Sequence, residues 1–324
     1  MTLRRPTVPS RLEHLALSLS FLTKFKALAS LLLLFAIASL TSDYFVHWGN
    51  LMNIIRQAST IGVIALGVHF VILLGMFDLS VGSILAASGT VIMLSQSALG
   101  IGIPASVTLG LAAGCVLGIA NGMLVAFGRV PSFIVTLGTM FIFRSLAMWY
   151  GHGGAINGNF VRYTQLGHSD FWGVPLIFLP LAVIAVMAHV VLSRTLLGRY
   201  IYAFGQNPYA AVLTGAPIPW VIVTAFAISG AATGVGAVFE TSRLNSISTS
   251  SSGLFYELDV ISAIVIGGSN LKGGKGTILG TVCGVFMLTI IGNYMNLQNI
   301  SPYLQGIIKG ALVLLILYRQ GRKA

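Results

Sequence analysis

The sequence predicts an all-α integral membrane protein, a polytopic bundle of about ten transmembrane helices with both termini in the cytoplasm. Three observations carry that prediction. Of 324 residues, 56% are hydrophobic and only 8% charged, whereas soluble domains carry roughly a quarter charged residues. So much apolar surface requires lipid as its solvent. The apolar residues fall into runs near the roughly 20-residue length that crosses a bilayer core, and the basic residues alternate between the loops that join them.

In chain order, residues 1–26 are basic and lack a small-residue cleavage site after a short apolar core, so they are expected to form a cytoplasmic tail and not a removed signal. Spans are expected at about 27–42, 58–76, 80–98, 103–127, 131–150, 173–193, 219–240, 258–270, 276–296 and 302–318, followed by a cytoplasmic tail at 319–324. With the N-terminus inside, Arg4, Arg5, Arg11, Lys24, Lys26, Arg129, Arg194, Arg199, Lys272, Lys275, Arg319, Arg322 and Lys323 fall on the cytoplasmic side. Only Arg56, Arg162 and Arg243 fall outside, and Arg144 and Lys309 lie within spans. Positive residues are retained on the cytoplasmic side of membranes. The net charge of +11 is therefore a topology signal, and nucleic-acid binding is excluded as its cause.

The spans carry packing signals. "GLAAGCVLGIANG" sets Gly110, Gly114, Gly118 and Gly122 four residues apart on one face of the fourth span, where another backbone can approach closely. Gly276, Gly280 and Gly284 are expected to do the same on the ninth. "VILLGMFDLSVGSILAASG" and "IVIGGSNLKGGKGTILGTVCG" each place a glycine-rich break near the cytoplasmic side between two apolar runs, a pattern compatible with an internal repeat around a shared pathway.

Chemistry is sparse. "GGKGT" lacks the first glycine and the Ser or Thr of a phosphate loop: Ser269 and Gly276 stand in those places. No catalytic constellation and no metal-ligand spacing is present. Cys115 and Cys283 lie in apolar runs, and His152 and His168 belong to an outer loop. Ion-coupled carriers rely on ionisable groups at mid-membrane depth, yet here Asp78, Glu257 and Asp259 lie near expected span ends. A stand-alone secondary carrier is thus the weaker alternative, and an intramembrane enzyme weaker still. Asp78 or Ser80 is expected to cap the third span or, with Ser83, to line the path or its gate. Glu257 and Asp259 are expected to cap the eighth span or meet solute. Lys309 is expected to snorkel or to pair with a carboxylate.

The stretch 194–218 is the longest internal cytoplasmic loop. Asn207 is suited to cap a helix that Pro208 opens, and Gly215 to end it. Small Ala210 and Ala211 would let a partner surface approach.

Together, "GMFDLSVGSILAASG", "RVPSFIVTLGTMFIFRS", "LGRYIYAFGQNPYAAVLTG" and "ELDVISAIVIGGSNLKGGKGTILGTVCG" resemble the membrane permease subunits of bacterial ABC importers over about residues 45–318. The ribose, xylose and galactose branch is the most similar; branched-chain amino-acid and nucleoside permeases are more distant and supply the alternative substrates. The resemblance implies a multi-pass protein of the bacterial inner membrane, non-catalytic itself, that forms the path for a small polar solute such as a monosaccharide. It implies a second permease subunit, an ATPase that alone binds ATP and Mg, and a periplasmic or tethered solute-binding protein. It also implies that the loop carries a coupling helix, with Gly198, Arg199, Asn207, Ala210, Ala211 and Gly215 matching the family pattern. One departure is Met76-Phe77, where the sugar branch has Gly-Ile before Asp-Leu-Ser; this bears on which solute passes.

Overall fold

The computed structural model describes residues 26–158 and 160–321. The expected N-terminal tail lies outside the described residues except for Lys26, as do residues 322–324 of the C-terminal one. The elements in order are α1 (Lys26–Thr41), α2 (Trp48–Leu73), α3 (Val81–Ser97), α4 (Ile103–Ala126), α5 (Ser132–Tyr150), β1 (Ala155–Asn157), α6 (Val161–His168), β2 (Asp170–Phe171), β3 (Val174–Pro175), α7 (Phe178–Arg194), α8 (Leu196–Gln206), α9 (Pro208–Leu213), α10 (Ile218–Leu244), β4 (Ser246–Ser248), α11 (Tyr256–Ile266), α12 (Ile278–Leu297) and α13 (Pro302–Gly321).

Among the described residues five helices, α2, α4, α5, α10 and α12, are long and apolar enough to cross a membrane, and α7 with α8, bent by 71° between them, reach that length and apolarity only when taken together. The protein is a multi-pass helix bundle, but length and composition do not reach the expected ten spans. Part of the reason is length: α1, α3 and α7 have 16, 17 and 17 residues and α11 only 11. At 1.5 Å per residue α11 is about 16 Å long, half of a roughly 30 Å hydrocarbon core. α3 likewise begins at depth, as the site below requires.

The apolar pattern of each helix sets its layer. α2 is the central helix, with 78% of its apolar window buried, while α5, at 28%, lies at the edge. Exposed Phe133, Ile134, Phe141 and Ile142 on α5, with Val183, Val186 and Met187 on α7, give lipid its contact surface. α10 packs on α2 and along α4. The α4–α10 seam is backbone on backbone. A Cβ at Gly118 would collide with the Phe226 carbonyl, and one at Gly114 would stand 3.0 Å from the Cα of Gly234. Gly122 faces Val223, and Gly110 faces the Ile92 side chain. The expected four-residue ladder is thus the face that meets α10 and α3. The second stripe needs correction. Gly280 and Gly284 pack on the carbonyls of Gly267 and Ala263, but Gly276 precedes α12, because Thr277 caps that helix through the N–H of Gly280.

Short strands tie the loops at one end of the bundle. β1 pairs antiparallel with β4, Ile156 opposite Ile247, and β2–β3 is a tight hairpin. Arg56 at the start of α2 forms an ion pair with Asp170 at 2.7 Å, and the His168 ring lies 2.9 Å from the Arg243 carbonyl. Tyr163 of α6 is buried against α10, its hydroxyl 2.6 Å from Thr241; burial pushes its phenol up to about 12. At the far end of α2, the Leu73 carbonyl accepts from Gly274 N–H. The expected outer segments that carry Arg56, Arg162 and Arg243 therefore meet at one end, and the expected inner segments around 74–80, 194–218 and 270–276 at the other.

Candidate translocation path and coupling segment

The segment 194–218 folds as local chemistry dictates. Thr195 caps α8 by accepting from the Gly198 N–H at 3.4 Å, and Gly198 packs so tightly on Leu192 that a Cβ would collide with its carbonyl. Asn207, in an extended conformation, ends α8 and caps α9, accepting from the Ala210 N–H at 3.1 Å. Pro208 takes the first helical position, where its missing N–H costs nothing, and Gly215 follows α9 at φ 74°. Tyr209 and Leu213 are 87% and 88% exposed, and Arg199 and Ala210 also face outward. Ala211 does not. It is 2% exposed and sits in the core with Ile201 and Ile218, so the side chains that α9 leaves at the surface are Tyr209, Ala210, Val212 and Leu213.

Between α2 and α3 the chain breaks at 74–80, beginning with Gly75 at φ 74°. Asp78 is fully buried. One carboxylate oxygen accepts from Ser80 N–H at 3.1 Å and Ser80 Oγ at 2.6 Å, and the other from Ser229 Oγ at 2.8 Å. Asn121 donates to Ser80 Oγ at 2.8 Å. The Ser80 hydroxyl is consumed here and makes no cap bond to α3; Ser83 is buried in its first turn. Since Ser229 lies 11 residues along α10, Asp78 stands about 17 Å from that helix end. It is not near a span end. It joins α3, α4 and α10 at depth. Phe77 is fixed beside it, its N–H donating to Ser132 Oγ at 3.1 Å and its carbonyl accepting from Thr136 at 3.3 Å.

The segment 249–256 enters from the opposite end to meet α3. Gly253, at φ 69°, packs on the Gly82 carbonyl. Arg144 of α5 clamps this meeting, donating to the carbonyls of Ser252 at 2.7 Å, Gly82 at 3.1 Å and Thr249 at 3.2 Å. Glu257 lies beside Gly82, where a Cβ would come within 3.0 Å of its Oε2. Neither Glu257 nor Asp259 caps α11, whose preceding residue, Phe255, is left-handed at φ 65°. α3 and α11 thus begin close together at depth, their positive N-terminal ends near Glu257. Glu240, which no motif in the sequence singles out, is buried and accepts from the Tyr256 hydroxyl at 3.1 Å.

Asp259 has a different partner. Its two oxygens accept from Lys309 of α13 at 2.9 and 3.0 Å. The pair lines a cavity of about 480 Å³ between α11 and α13, together with Phe255, Leu258, Ser262 and Gln305. Of the two expectations for Lys309, pairing is the one the structure has.

The family described as branched-chain amino acid transport system / permease component matches residues 50–317. The chain is 37% identical over 300 residues to a ribose import permease protein of Haemophilus influenzae, covering 91% of this chain and 92% of the relative. It is 36% identical over 296 residues to an L-arabinose ABC transporter permease protein of Azospirillum brasilense, covering 90% and 86%. A xylose transport system permease protein of Escherichia coli is 29% identical over 339 residues, covering 86% of each chain. No solved structure matches. A match over this much of the chain, with the broken α2–α3 passage and the capped α8–α9 passage both inside it, means that the chain belongs to the branched-chain amino acid transport system / permease component family, and within it to the ribose- and xylose-type ABC permeases.

Proposed function

We propose that this chain carries a monosaccharide, of the pentose class, across the bacterial inner membrane as the permease subunit of an ABC importer. The observation that supports the sugar is the set of relatives, whose names specify ribose, L-arabinose and xylose, all pentoses. The N-terminus and α9 face the cytoplasm, where α9 inserts Tyr209 and Leu213 into a groove of the ATPase; that subunit alone binds ATP and Mg. A solute-binding protein docks at the opposite face, and a second permease subunit completes the path. Asp78, Ser80 and Ser83 at one break, with Glu257, Asp259 and Lys309 at the other, form the path and its gates.

The complex, reconstituted in proteoliposomes with its ATPase and binding protein, is expected to take up labelled ribose, arabinose or xylose only with ATP. Tyr209→Arg is expected to insert normally but lose the ATPase on copurification, because interface hot spots contribute about 2 kcal/mol or more, near thirtyfold in affinity. Uptake that persists without the ATPase, or a Tyr209→Arg protein that copurifies and transports normally, overturns the assignment. Ala211→Arg serves as the contrast: it strands a charge in the chain's own core and is expected to lower abundance.

A further inference from the structure

The segment joining α11 to α12, "GGSNLKGGKGT" at 267–277, lacks the spacing of a phosphate loop, and its glycines lie outside both helices. Its backbone fills a three-way junction. On one side Gly274 N–H donates to the carbonyl of Leu73, the last residue of α2, at 2.8 Å. On the other side the end of α8 grips it: the Tyr202 hydroxyl donates to the Gly276 carbonyl at 2.9 Å, and Gln206 Nε2 to the Gly274 carbonyl at 3.3 Å. At Gly75, Gly205 and Gly273 the three segments also touch backbone to backbone. A Cβ at Gly205 would collide with the Leu73 carbonyl and the Gly274 nitrogen, and one at Gly273 would stand 2.7 Å from the Gly75 nitrogen and 3.0 Å from the Gly205 Cα.

The segment is also closed on itself. Asn270 N–H donates to the Lys275 carbonyl at 2.8 Å, and the Asn270 carbonyl and side chain accept from the N–H groups of Gly273 and Lys272, each at 3.0 Å. Below it the His69 ring of α2 is 2.8 Å from the Thr281 hydroxyl in the first turns of α12. At its margins Gly267 and Gly280 meet backbone to backbone, fastening α11 to α12. A block packed and bonded in this way moves as a body; close-packed interiors transmit strain and do not absorb it.

We infer that this block passes the motion of the coupling helix to the path, and that Tyr202 and Gln206 are the positioning residues that engage it. The inference rests on α9 being the ATPase contact. α9 follows α8 through Asn207 alone, so a displacement of α9 pulls on the end of α8. The two side-chain bonds make the 267–277 block follow α8. The block carries α11, whose first turn holds Asp259 against Lys309 and Glu257 beside Gly82. Without these bonds α8 slides over the block, and ATP is spent without opening the path.

The test compares solute uptake with ATP hydrolysis in the complete reconstituted complex for Tyr202→Phe and Gln206→Met. Each variant keeps the bulk of its side chain; Tyr202→Phe removes only the hydroxyl, and Gln206→Met removes the amide that donates to Gly274. Abundance, ATPase copurification and ATP hydrolysis are expected to hold, while solute moved per ATP falls about 3- to 10-fold, the factor that one net hydrogen bond represents. The double variant is expected to fall further. An unchanged uptake-to-hydrolysis ratio in both variants overturns the inference, as does loss of copurification together with hydrolysis, which would place these residues in the docking surface. Absence of ATP-dependent uptake in the unaltered protein overturns the proposed function itself, and this inference with it.

Discussion

At the scale of residues, depth decides which polar groups the chain can carry. Asp78 collects three hydrogen bonds from Ser80 and Ser229, so its buried carboxyl is satisfied by hydroxyl and amide donors at the start of α3 and along α10. Asp259 and Lys309 instead neutralise each other, with side chains 18% and 35% exposed. An isolated charge at the centre of a membrane helix costs about 2.5–3.5 kcal/mol on insertion scales, so such residues face protein or a water-filled cavity. Partial exposure to the cavity reduces what the pair contributes, and we expect Asp259→Asn or Lys309→Met to destabilise the protein by roughly 1–2 kcal/mol. The exchange Asp259→Lys with Lys309→Asp restores opposite charges across the same gap and is expected to recover most of the lost abundance and uptake. Measured thermal stability in detergent and uptake in cells decide the matter; an exchange variant as damaged as either single variant shows that the pair does not act as a pair.

Elements expose the packing logic more directly. α4 and α10 lie backbone to backbone at Gly114, Gly118 and Gly230, which a four-residue small-residue spacing on one helix already implies. Gly118→Leu is expected to cost roughly 1–3 kcal/mol or more through overpacking and to lower abundance sharply. Gly138→Leu on α5, where a Cβ meets nothing within 4 Å, is the control and is expected to be tolerated; equal abundance of the two would show that the α4 face is free. This seam, and the Asn207–Pro208 start of α9, were legible in the sequence because each depends on residues within a turn or two. The clamp of Arg144 on Thr249 and Ser252, more than 100 residues away, was not, and neither was the burial of Glu240. The same limit explains Gly276. Its place in a glycine run resembles a helix stripe, yet the Thr277 cap and the contact with Ser269 and His69 put it in the junction with α8. The inward turn of Ala211 was hidden because the neighbouring Ala210 faces the other way, and a one-and-a-half-turn helix gives no period to read.

For the whole molecule, charge distinguishes the two ends. α2 is 26 residues long, about 39 Å, enough to cross a roughly 30 Å core. At its first end lie Arg56, held by Asp170, and the segment that brings Arg243 to His168. At its other end, Leu73 meets the glycine-rich block that carries exposed Lys272 and Lys275, beside α8 with exposed Arg194 and Arg199 at its head. Basic residues in short loops set orientation by staying inside, so this second end is expected to face the cytoplasm. The test uses a background with Cys115 and Cys283 replaced by alanine, the only two cysteines in the chain. Val161→Cys, at an exposed position at the start of α6, is expected to react with an impermeant maleimide on intact cells whose outer membrane admits the reagent. Arg194→Cys, exposed at the end of α7, is expected to react only after the inner membrane is permeabilised. The reverse pattern would invert the bundle, placing α9 where no ATPase could reach it. Labelling of both sites in intact cells would mean that Val161 and Arg194 are not on opposite faces, and that α7 does not cross.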